Sequence, residues 1–168
     1  MSPAHRYWVG LGGNLGDPAA TIRAAVAWLD VRHGVEAVSR LWDTSPRDLE
    51  DQPPFRNAAA RVRSALAPPE MLDEAKRLEA ELGRDPGGVR FGPRVIDCDL
   101  LLWDGGAFAD DRLEIPHPRL HERRFALLPL LDLDPRLTLP DGRRLADLEA
   151  ALDPREQRAE PIADLGPA

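Results

Sequence analysis

The chain has 168 residues, of which 43% are hydrophobic and 30% charged, and its formal net charge at pH 7 is −7. These values are typical of one globular domain over residues 1–168, and the acidic balance argues against a nucleic-acid partner, which would need a basic face. No apolar run approaches the roughly 20 residues of a membrane span, and no signal-peptide core is present. We therefore predict a cytoplasmic monomer that binds neither nucleic acid nor membranes. Cys98 is its single cysteine, which excludes an internal disulfide.

A glycine-rich turn follows the first predicted strand, residues 6–13, and leads into the first predicted helix, which Asp17 caps. The turn has the spacing G-x-G-x-x-x-G, not the G-x-G-x-x-G of dinucleotide-binding folds. Lys76 is the only lysine and follows no glycine loop, which excludes a P-loop. If the protein binds a nucleotide, arginine side chains and a metal ion must hold its phosphates.

Two further strands are predicted at residues 35–42 and 55–64, separated by a proline-rich acidic loop at 44–54. Side chains alternate along a strand, so Phe55 and Asn57 share one face of the later strand while its opposite face is apolar. An aromatic ring beside an amide suits the binding of a flat heterocycle, because the ring can stack on it and the amide can form hydrogen bonds with it.

A second helix is predicted from residue 68 to a stop at Gly83, and residues 84–93, rich in glycine and arginine, are predicted to form a lid over a substrate. The next strand, at 95–103, is predicted to have one wholly apolar face and one face with two carboxylates. The apolar face would hold Ile96, Cys98, Leu100 and Leu102, and the other face Asp97, Asp99, Leu101 and Trp103.

The two carboxylates, Asp97 and Asp99, would lie roughly 6 to 7 Å apart, where their repulsion is on the order of 2 kcal/mol at an effective dielectric of about 20. A divalent cation removes that cost. Carboxylate oxygens suit Mg²⁺, which takes its other ligands from water and substrate phosphates. Arg90 and Arg94 precede the pair, and guanidinium groups bind phosphate oxygens in a fork. The motif therefore predicts a magnesium and phosphate site.

Beyond this strand, residues 112–115 are predicted to be extended, and residues 116–125 form a basic cluster that favours an anionic ligand in an acidic protein. The cluster contains His117, Arg119, His121, Arg123 and Arg124. Apolar helical turns are predicted at 126–133 and 145–152, and a frayed tail at 154–168.

These motifs, in this order, resemble the 6-hydroxymethyl-7,8-dihydropterin pyrophosphokinase family of folate biosynthesis. The central match is the basic-x-Gly-Pro-Arg-x-x-Asp-aliphatic-Asp pattern at residues 90–101, with Cys98 at the aliphatic position. Four other matches are separated along the chain: GGNLGD at 12–17, TSP at 44–46, DQPPFRN at 51–57, and IPHPR at 115–119 with RRF at 123–125. Arg47-Asp48 departs from the family pattern, in which Val-Gly is common.

The resemblance implies an α+β, ferredoxin-like fold of β-α-β-β-α-β order, with a mainly antiparallel sheet and helices on its faces. It implies transfer of a pyrophosphoryl group from ATP to the hydroxymethyl oxygen of the dihydropterin, with release of AMP. Two Mg²⁺ ions would be held by Asp97 and Asp99, and Arg90 and Arg94 would join these aspartates as catalytic residues. The resemblance also names the substrate contacts. Those to ATP are Lys76, Arg84, Arg90, Arg94, Arg112, His117 and Arg123, and those to the pterin are Thr44, Ser45, Pro46, Arg47, Phe55, Asn57 and Phe125.

Two other functions stay open on the residues alone. A two-metal nucleotidyltransferase also joins a small-residue turn to an Asp-x-Asp strand. In that class one short helix separates the turn from the aspartates, whereas two predicted helices and two predicted strands separate them in this chain. A ferredoxin-like RNA-binding module would stack bases on strand aromatics within a basic face, which the acidic balance opposes.

Overall fold

The structure, a computed structural model, describes residues 4–46, 51–83 and 95–165. The α-helices within these residues are α1 (Pro18–Arg32), α2 (Pro68–Glu81), α3 (Arg124–Leu133) and α4 (Leu145–Ala150), and a 3₁₀ turn covers Leu120–Glu122. The strands are β1 (His5–Gly13), β2 (Val35–Val38), β3 (Arg40–Thr44), β4 (Phe55–Ser64), β5 (Asp97–Trp103), β6 (Phe108–Ala109), β7 (Glu114–Ile115) and β8 (Ala159–Asp164).

The main sheet has the strand order β5-β1-β4-β3-β8, and β2 also pairs with β4. Each of these pairings is antiparallel. From β1 to β5 the chain runs strand, helix, a split strand, strand, helix, strand, and β4 lies between β1 and the split strand. The predicted ferredoxin-like α+β fold is confirmed.

The split falls inside the predicted strand 35–42, at Ser39 between β2 and β3. The Ser39 N–H donates to Ala59 O, and Ser39 Oγ accepts from the Ala59 N–H, both at 2.8 Å. A hydroxyl oxygen thus takes the place of a backbone carbonyl oxygen, which interrupts regular strand pairing at this residue.

Helices cover both faces of the sheet and form two apolar cores. One core packs α1 and α2 against the sheet and includes Leu29, Leu78 and Val9, all fully buried. The other packs α3 against the opposite face and includes Leu127 and Leu130. Burial of one such side chain stabilises the fold by about 1.5–3 kcal/mol. In the part of the chain that the structure describes, no helix combines the length and the apolar character needed to span a bilayer.

The face assignment predicted for the strand of the two aspartates is correct up to Leu101 and wrong for Leu102 and Trp103. Val9 of β1 pairs with Leu100, but Trp8 pairs with Leu102, so Leu101 is an extra residue, a β-bulge. Leu102 therefore joins Leu101 in the α3 core, and Trp103 turns to the opposite side and packs against the other core. The bulge reverses the alternation that the sequence pattern assumed.

The C-terminal residues also differ from the predicted frayed tail. β8 pairs with β3 from Arg40 opposite Asp164 to Thr44 opposite Ala159. The segment contains two acidic residues and Pro161, which weaken the strand signal in the sequence. A proline is compatible with an edge strand, because the outer N–H groups of such a strand have no ladder partner.

Candidate active site

Polar side chains of two strands project from one face of the sheet on either side of Gly12 in β1. Gly12 pairs with Asp97 of β5 and with Asn57 of β4, and Asp99 lies opposite Gly10. Directly paired residues of an antiparallel sheet project on the same face. Two strand spacings separate Asp97 from Asn57, which is about 10 Å between their Cα atoms. The two carboxylates and the amide therefore line one surface.

The position of Gly12 requires glycine because the Asn57 side chain occupies the space beside it. A Cβ atom at residue 12 would lie 2.4 Å from Asn57 Oδ1, far inside van der Waals contact. The Asn57 side chain is fixed by a hydrogen bond from Nδ2 to Thr44 Oγ1, 2.6 Å long, and both residues are buried. The glycine thus makes room for an ordered amide on the site face.

We expect Gly12→Ala to destabilise the protein by about 2 kcal/mol, because the new methyl group must displace the Asn57 side chain and break its bond to Thr44. Urea unfolding measures the loss. Gly10→Ala is the control, since its Cβ would meet only the end of the Leu101 side chain, at 3.0 Å. In an Asn57→Ala background the penalty at Gly12 should largely disappear. An unchanged penalty in that background would contradict the steric explanation.

Both phenylalanines predicted to hold a heterocycle lie on this side of the sheet. Phe55 and Asn57 are two residues apart in β4 and so share a face. Phe125, the second residue of α3, packs against the core between α3 and the sheet. Thr44, the last residue of β3, pairs with Phe55. The ends of β1 and β3 and the starts of β4, β5 and α3 thus contribute to one surface.

A buried glutamate that the sequence analysis missed lies behind the two aspartates. Glu79 of α2 is 3% exposed, and its Oε2 accepts from the backbone N–H of Cys98 at 2.8 Å. Cys98 separates Asp97 from Asp99, and β5 is the edge strand of the sheet, so this N–H points away from β1. Glu79 therefore fixes the backbone from which both carboxylates project. Its signal in the sequence is an acidic residue within the apolar stripe of a helix.

Asn14 links the loop after β1 to the loop before β4. It is 5% exposed, and its Nδ2 donates to Gln52 Oε1 and to Pro53 O, both at 2.9 Å. Because Phe55 begins β4 two residues later, this contact helps to hold the entry to that strand in place.

His117 lies on the chain after β7 and is tied to β5 by its backbone N–H, which donates to Leu101 O at 3.0 Å. Burial, and then the positive charges of Arg123 and Arg119, lower its pKa to about 4. The imidazole is therefore neutral at pH 7. Its Nδ1 accepts from the Arg119 N–H at 3.2 Å, so the proton is on Nε2. His117 can donate one hydrogen bond to an anion through Nε2.

The lowered pKa of His117 predicts an acid-dependent loss of stability. The unfolded chain protonates this imidazole near its ordinary value of 6.5, whereas the folded chain does so only near pH 4. Between these two pH values the unfolded state therefore binds more protons than the folded state. The free energy of unfolding consequently falls as the pH is lowered from about 6.5 to 4. We expect His117→Gln to show a smaller drop in thermal midpoint between pH 7 and pH 4.5 than the wild type. His121→Gln, at an exposed position, should keep the wild-type drop, and equal drops in both variants would contradict the assignment.

Three of the cations predicted to bind phosphate lie in the described residues. Lys76 pairs with Glu79 (Nζ to Oε1, 3.4 Å), and Arg112 pairs with Asp73 (Nη2 to Oδ1, 2.7 Å). Both cationic side chains are 56% exposed, so an anionic ligand can reach them. The Arg112–Asp73 pair is exposed on both sides, and such pairs are weak. Arg123 precedes α3 directly.

Other members of the basic cluster at 116–125 make structural ion pairs. Arg119 Nε contacts Glu122 Oε1 at 2.8 Å, and Arg124 Nε contacts Glu149 Oε1 at 2.9 Å. The Arg124 side chain is only 13% exposed, so it contributes to packing between α3 and α4.

Four predicted site residues lie outside the described residues: Arg47, Arg84, Arg90 and Arg94. The predicted lid at 84–93 also lies outside them. Their predicted roles stay predictions.

The carboxylate pair fits a metal ion that takes most of its ligands from a substrate. Among residues 4–46, 51–83 and 95–165, no three His, Cys, Asp or Glu side chains are grouped for metal binding. Mg²⁺ is commonly bound by one or two carboxylates and completes its octahedron with water and phosphate oxygens. Asp97 and Asp99 on one strand face match that donor set, whereas a closed zinc site needs four protein ligands.

An antiparallel α+β domain with two carboxylates, a buried amide and two aromatic rings on one face offers the groups that a phosphoryl-type transferase acting on a heterocycle would use. Comparison with known proteins agrees. A family model described as 7,8-dihydro-6-hydroxymethylpterin-pyrophosphokinase (HPPK) matches residues 8–135. The chain therefore belongs to this family of ATP-dependent diphosphokinases.

Individual relatives support the same family. The 2-amino-4-hydroxy-6-hydroxymethyldihydropteridine pyrophosphokinase of Pseudomonas aeruginosa is 40% identical over 148 residues, 87% of this chain and 91% of that protein. The protein of the same name from Bacillus subtilis is 39% identical over 128 residues, 75% of this chain and 76% of that protein. A crystal structure of Plasmodium falciparum HPPK-DHPS superposes with a TM-score of 0.72 at 14% identity. It covers 89% of this chain and 44% of that longer one, and it supports the fold.

Proposed function

We propose that this protein transfers the pyrophosphoryl group of ATP to the hydroxymethyl group of 6-hydroxymethyl-7,8-dihydropterin, with release of AMP, in folate synthesis. One observation carries the proposal: Asp97 and Asp99 project from the same sheet face as Asn57, about 10 Å away across Gly12. That spacing suits a triphosphate bound at the carboxylates and a heterocycle bound at the amide.

The chemistry requires positioning and neutralisation of charge rather than a protein nucleophile. Asp97 and Asp99 would hold two Mg²⁺ ions, which when bound would offset the charge of the triphosphate. Arg84, Arg90 and Arg94 would donate hydrogen bonds to the phosphate oxygens on which charge develops. Asp97 would also accept the proton of the attacking hydroxyl group.

The remaining phosphate contacts would come from four side chains, one neutral and three positively charged. His117 would donate a hydrogen bond from Nε2 without adding charge, because its pKa of about 4 keeps the imidazole neutral. Lys76, Arg112 and Arg123 would add positive charge, the first two by exchanging their present carboxylate partners for phosphate.

The pterin would bind at the end of β3 and the starts of β4 and α3. Phe55 and Phe125 would stack on its two faces, and Asn57 would hydrogen-bond its polar edge. The Asn57 amide is suited to this role because the bond from its Nδ2 to Thr44 fixes its orientation. Backbone groups of residues 44–47 (Thr44, Ser45, Pro46 and Arg47) would supply further hydrogen bonds.

We further propose that the enzyme acts as a cytoplasmic monomer. The net charge of −7 supports the absence of a nucleic-acid partner.

Analysis of the products tests the proposal. Incubation with ATP, Mg²⁺ and 6-hydroxymethyl-7,8-dihydropterin should release AMP and yield the pterin diphosphate in equal amounts. The matched control is 6-methyl-7,8-dihydropterin, which has no hydroxyl acceptor and should give no AMP above background. Release of pyrophosphate instead of AMP would contradict the proposal and favour a nucleotidyltransferase.

A further inference from the structure

The C-terminal segment of this chain lies beyond residues 8–135, the part that the family model matches. Within the segment, Gln157 is 7% exposed, although its neighbours Glu156 and Arg158 are exposed. A buried amide side chain needs hydrogen-bond partners. Those of Gln157 lie at the start of α3, and those of the next residue lie at the end of β3. We refer to Gln157 and Arg158 as the C-terminal brace.

Gln157 caps the start of α3. Its Oε1 accepts from the Arg124 N–H at 2.9 Å, and its Nε2 donates to Glu122 O at 3.0 Å. The Arg124 guanidinium donates back to Gln157 O. The residue at the N-cap position, Arg123, makes no side-chain capping bond, so the amide oxygen of Gln157 accepts from an N–H that the helix itself cannot satisfy.

Arg158 holds the end of β3. The Ser45 N–H donates to Arg158 O at 2.9 Å, and the Arg158 N–H donates to Ser45 Oγ at 3.1 Å. Its guanidinium also contacts Asp43 Oδ1 at 3.0 Å. These bonds extend the β3–β8 pairing beyond Thr44, the residue that receives the Asn57 amide.

Two consecutive residues thus join the end of β3 to the start of α3. The proposed function, on which this inference rests, puts the pterin between these segments, with Thr44 and Ser45 on one side and Phe125 on the other. We propose that the C-terminal brace sets the separation of these two sides and so determines affinity for the pterin. Gln157 is buried against the start of α3 and is not one of the residues proposed to contact the pterin, so it is a positioning residue.

The test compares Gln157→Ala with Glu156→Ala, an exposed neighbour. Calorimetry gives the affinity of each variant for a non-hydrolysable ATP analogue with Mg²⁺, and then for 6-hydroxymethyl-7,8-dihydropterin. We expect Gln157→Ala to weaken pterin binding about tenfold, which is typical of a lost positioning contact, and to leave ATP-analogue affinity within about twofold. Glu156→Ala should change neither. Gln157→Asn keeps the amide on a shorter stem and, if Gln157→Ala does not fold, provides the same comparison with a milder substitution.

Hydrogen exchange supplies a readout that does not depend on the substrate. In Gln157→Ala, the amides of Ser45 and of residues 122–127 should exchange faster than in Glu156→Ala. Unchanged exchange, unchanged pterin affinity, or equal loss of both ligands would each overturn the proposed brace. If the wild type itself fails to bind the pterin, the proposed function fails. The role of the brace in pterin affinity then falls with it, while the exchange data still report whether Gln157 holds the two segments.

Discussion

Asp97→Asn is expected to lower kcat by about two to three orders of magnitude while the domain stays folded. The substitution keeps the size of the side chain but removes one of the two charges on the site face. Loss of a preorganised electrostatic contact at a reacting centre typically has an effect of about 10²–10³ in kcat. Asp99→Asn should have a similar effect, because both carboxylates would hold metal ions. Steady-state AMP release at saturating ATP, pterin and Mg²⁺ measures the change.

The control for this prediction is Asp111→Asn, at an exposed position between β6 and β7. It makes the same change in net charge and should keep wild-type kcat. Thermal unfolding of all three variants checks that each remains folded. Near-full activity of either Asp97→Asn or Asp99→Asn would show that the two carboxylates are not the metal ligands.

Glu79→Ala is expected to lower kcat by about tenfold to a hundredfold, although its side chain lies behind the site. Removing a group that orients metal ligands typically costs this much. Without Glu79, the buried N–H of Cys98 loses its acceptor, and leaving such a group unsatisfied costs about 1–3 kcal/mol. The backbone between Asp97 and Asp99 would then shift toward another partner, and both carboxylates would shift with it.

Glu79→Gln separates orientation from charge. The glutamine keeps an amide oxygen at the position that accepts from Cys98, so we expect most of the activity to return. The apparent Mg²⁺ affinity, obtained from the metal dependence of AMP release, should weaken in Glu79→Ala and stay near the wild-type value in Glu79→Gln. If both variants lose activity equally, the charge of Glu79 is what matters and the orienting role is wrong.

Local signals of the sequence predict the scaffold of this protein well. Asp17 caps α1 as predicted, with its Oδ1 accepting from the Ala20 N–H at 3.2 Å. The predicted strand 55–64 coincides with β4, and its two faces divide as the alternation requires. These features depend on residues close together in the chain, for which periodicity and capping rules are sufficient.

Features that depend on contacts between distant residues could not be predicted in this way. The bulge at Leu101 arises from the pairing of β5 with β1, so alternation within β5 alone gave Leu102 and Trp103 the wrong faces. Gln157 and Arg158 are polar residues whose hydrogen-bond partners include Arg124, at the start of α3, and Ser45, directly after β3, and nothing within 154–168 indicates these partners.

The same distinction applies to the residues of the candidate site. Asp97 and Asp99 are recognisable because acidic residues two apart are unusual in an apolar strand. Glu79 is 19 residues from the N–H that it accepts, and its role depends on how α2 packs against the edge of β5.

Calorimetric titration of a non-hydrolysable ATP analogue, with and without Mg²⁺, tests most directly whether Asp97 and Asp99 bind a metal-bound triphosphate. The wild type should bind the analogue at least about tenfold more tightly when Mg²⁺ is present, and Asp97→Asn should lose most of that difference. Equal affinity of the wild type with and without Mg²⁺, or an undiminished Mg²⁺ effect in Asp97→Asn, would contradict the account.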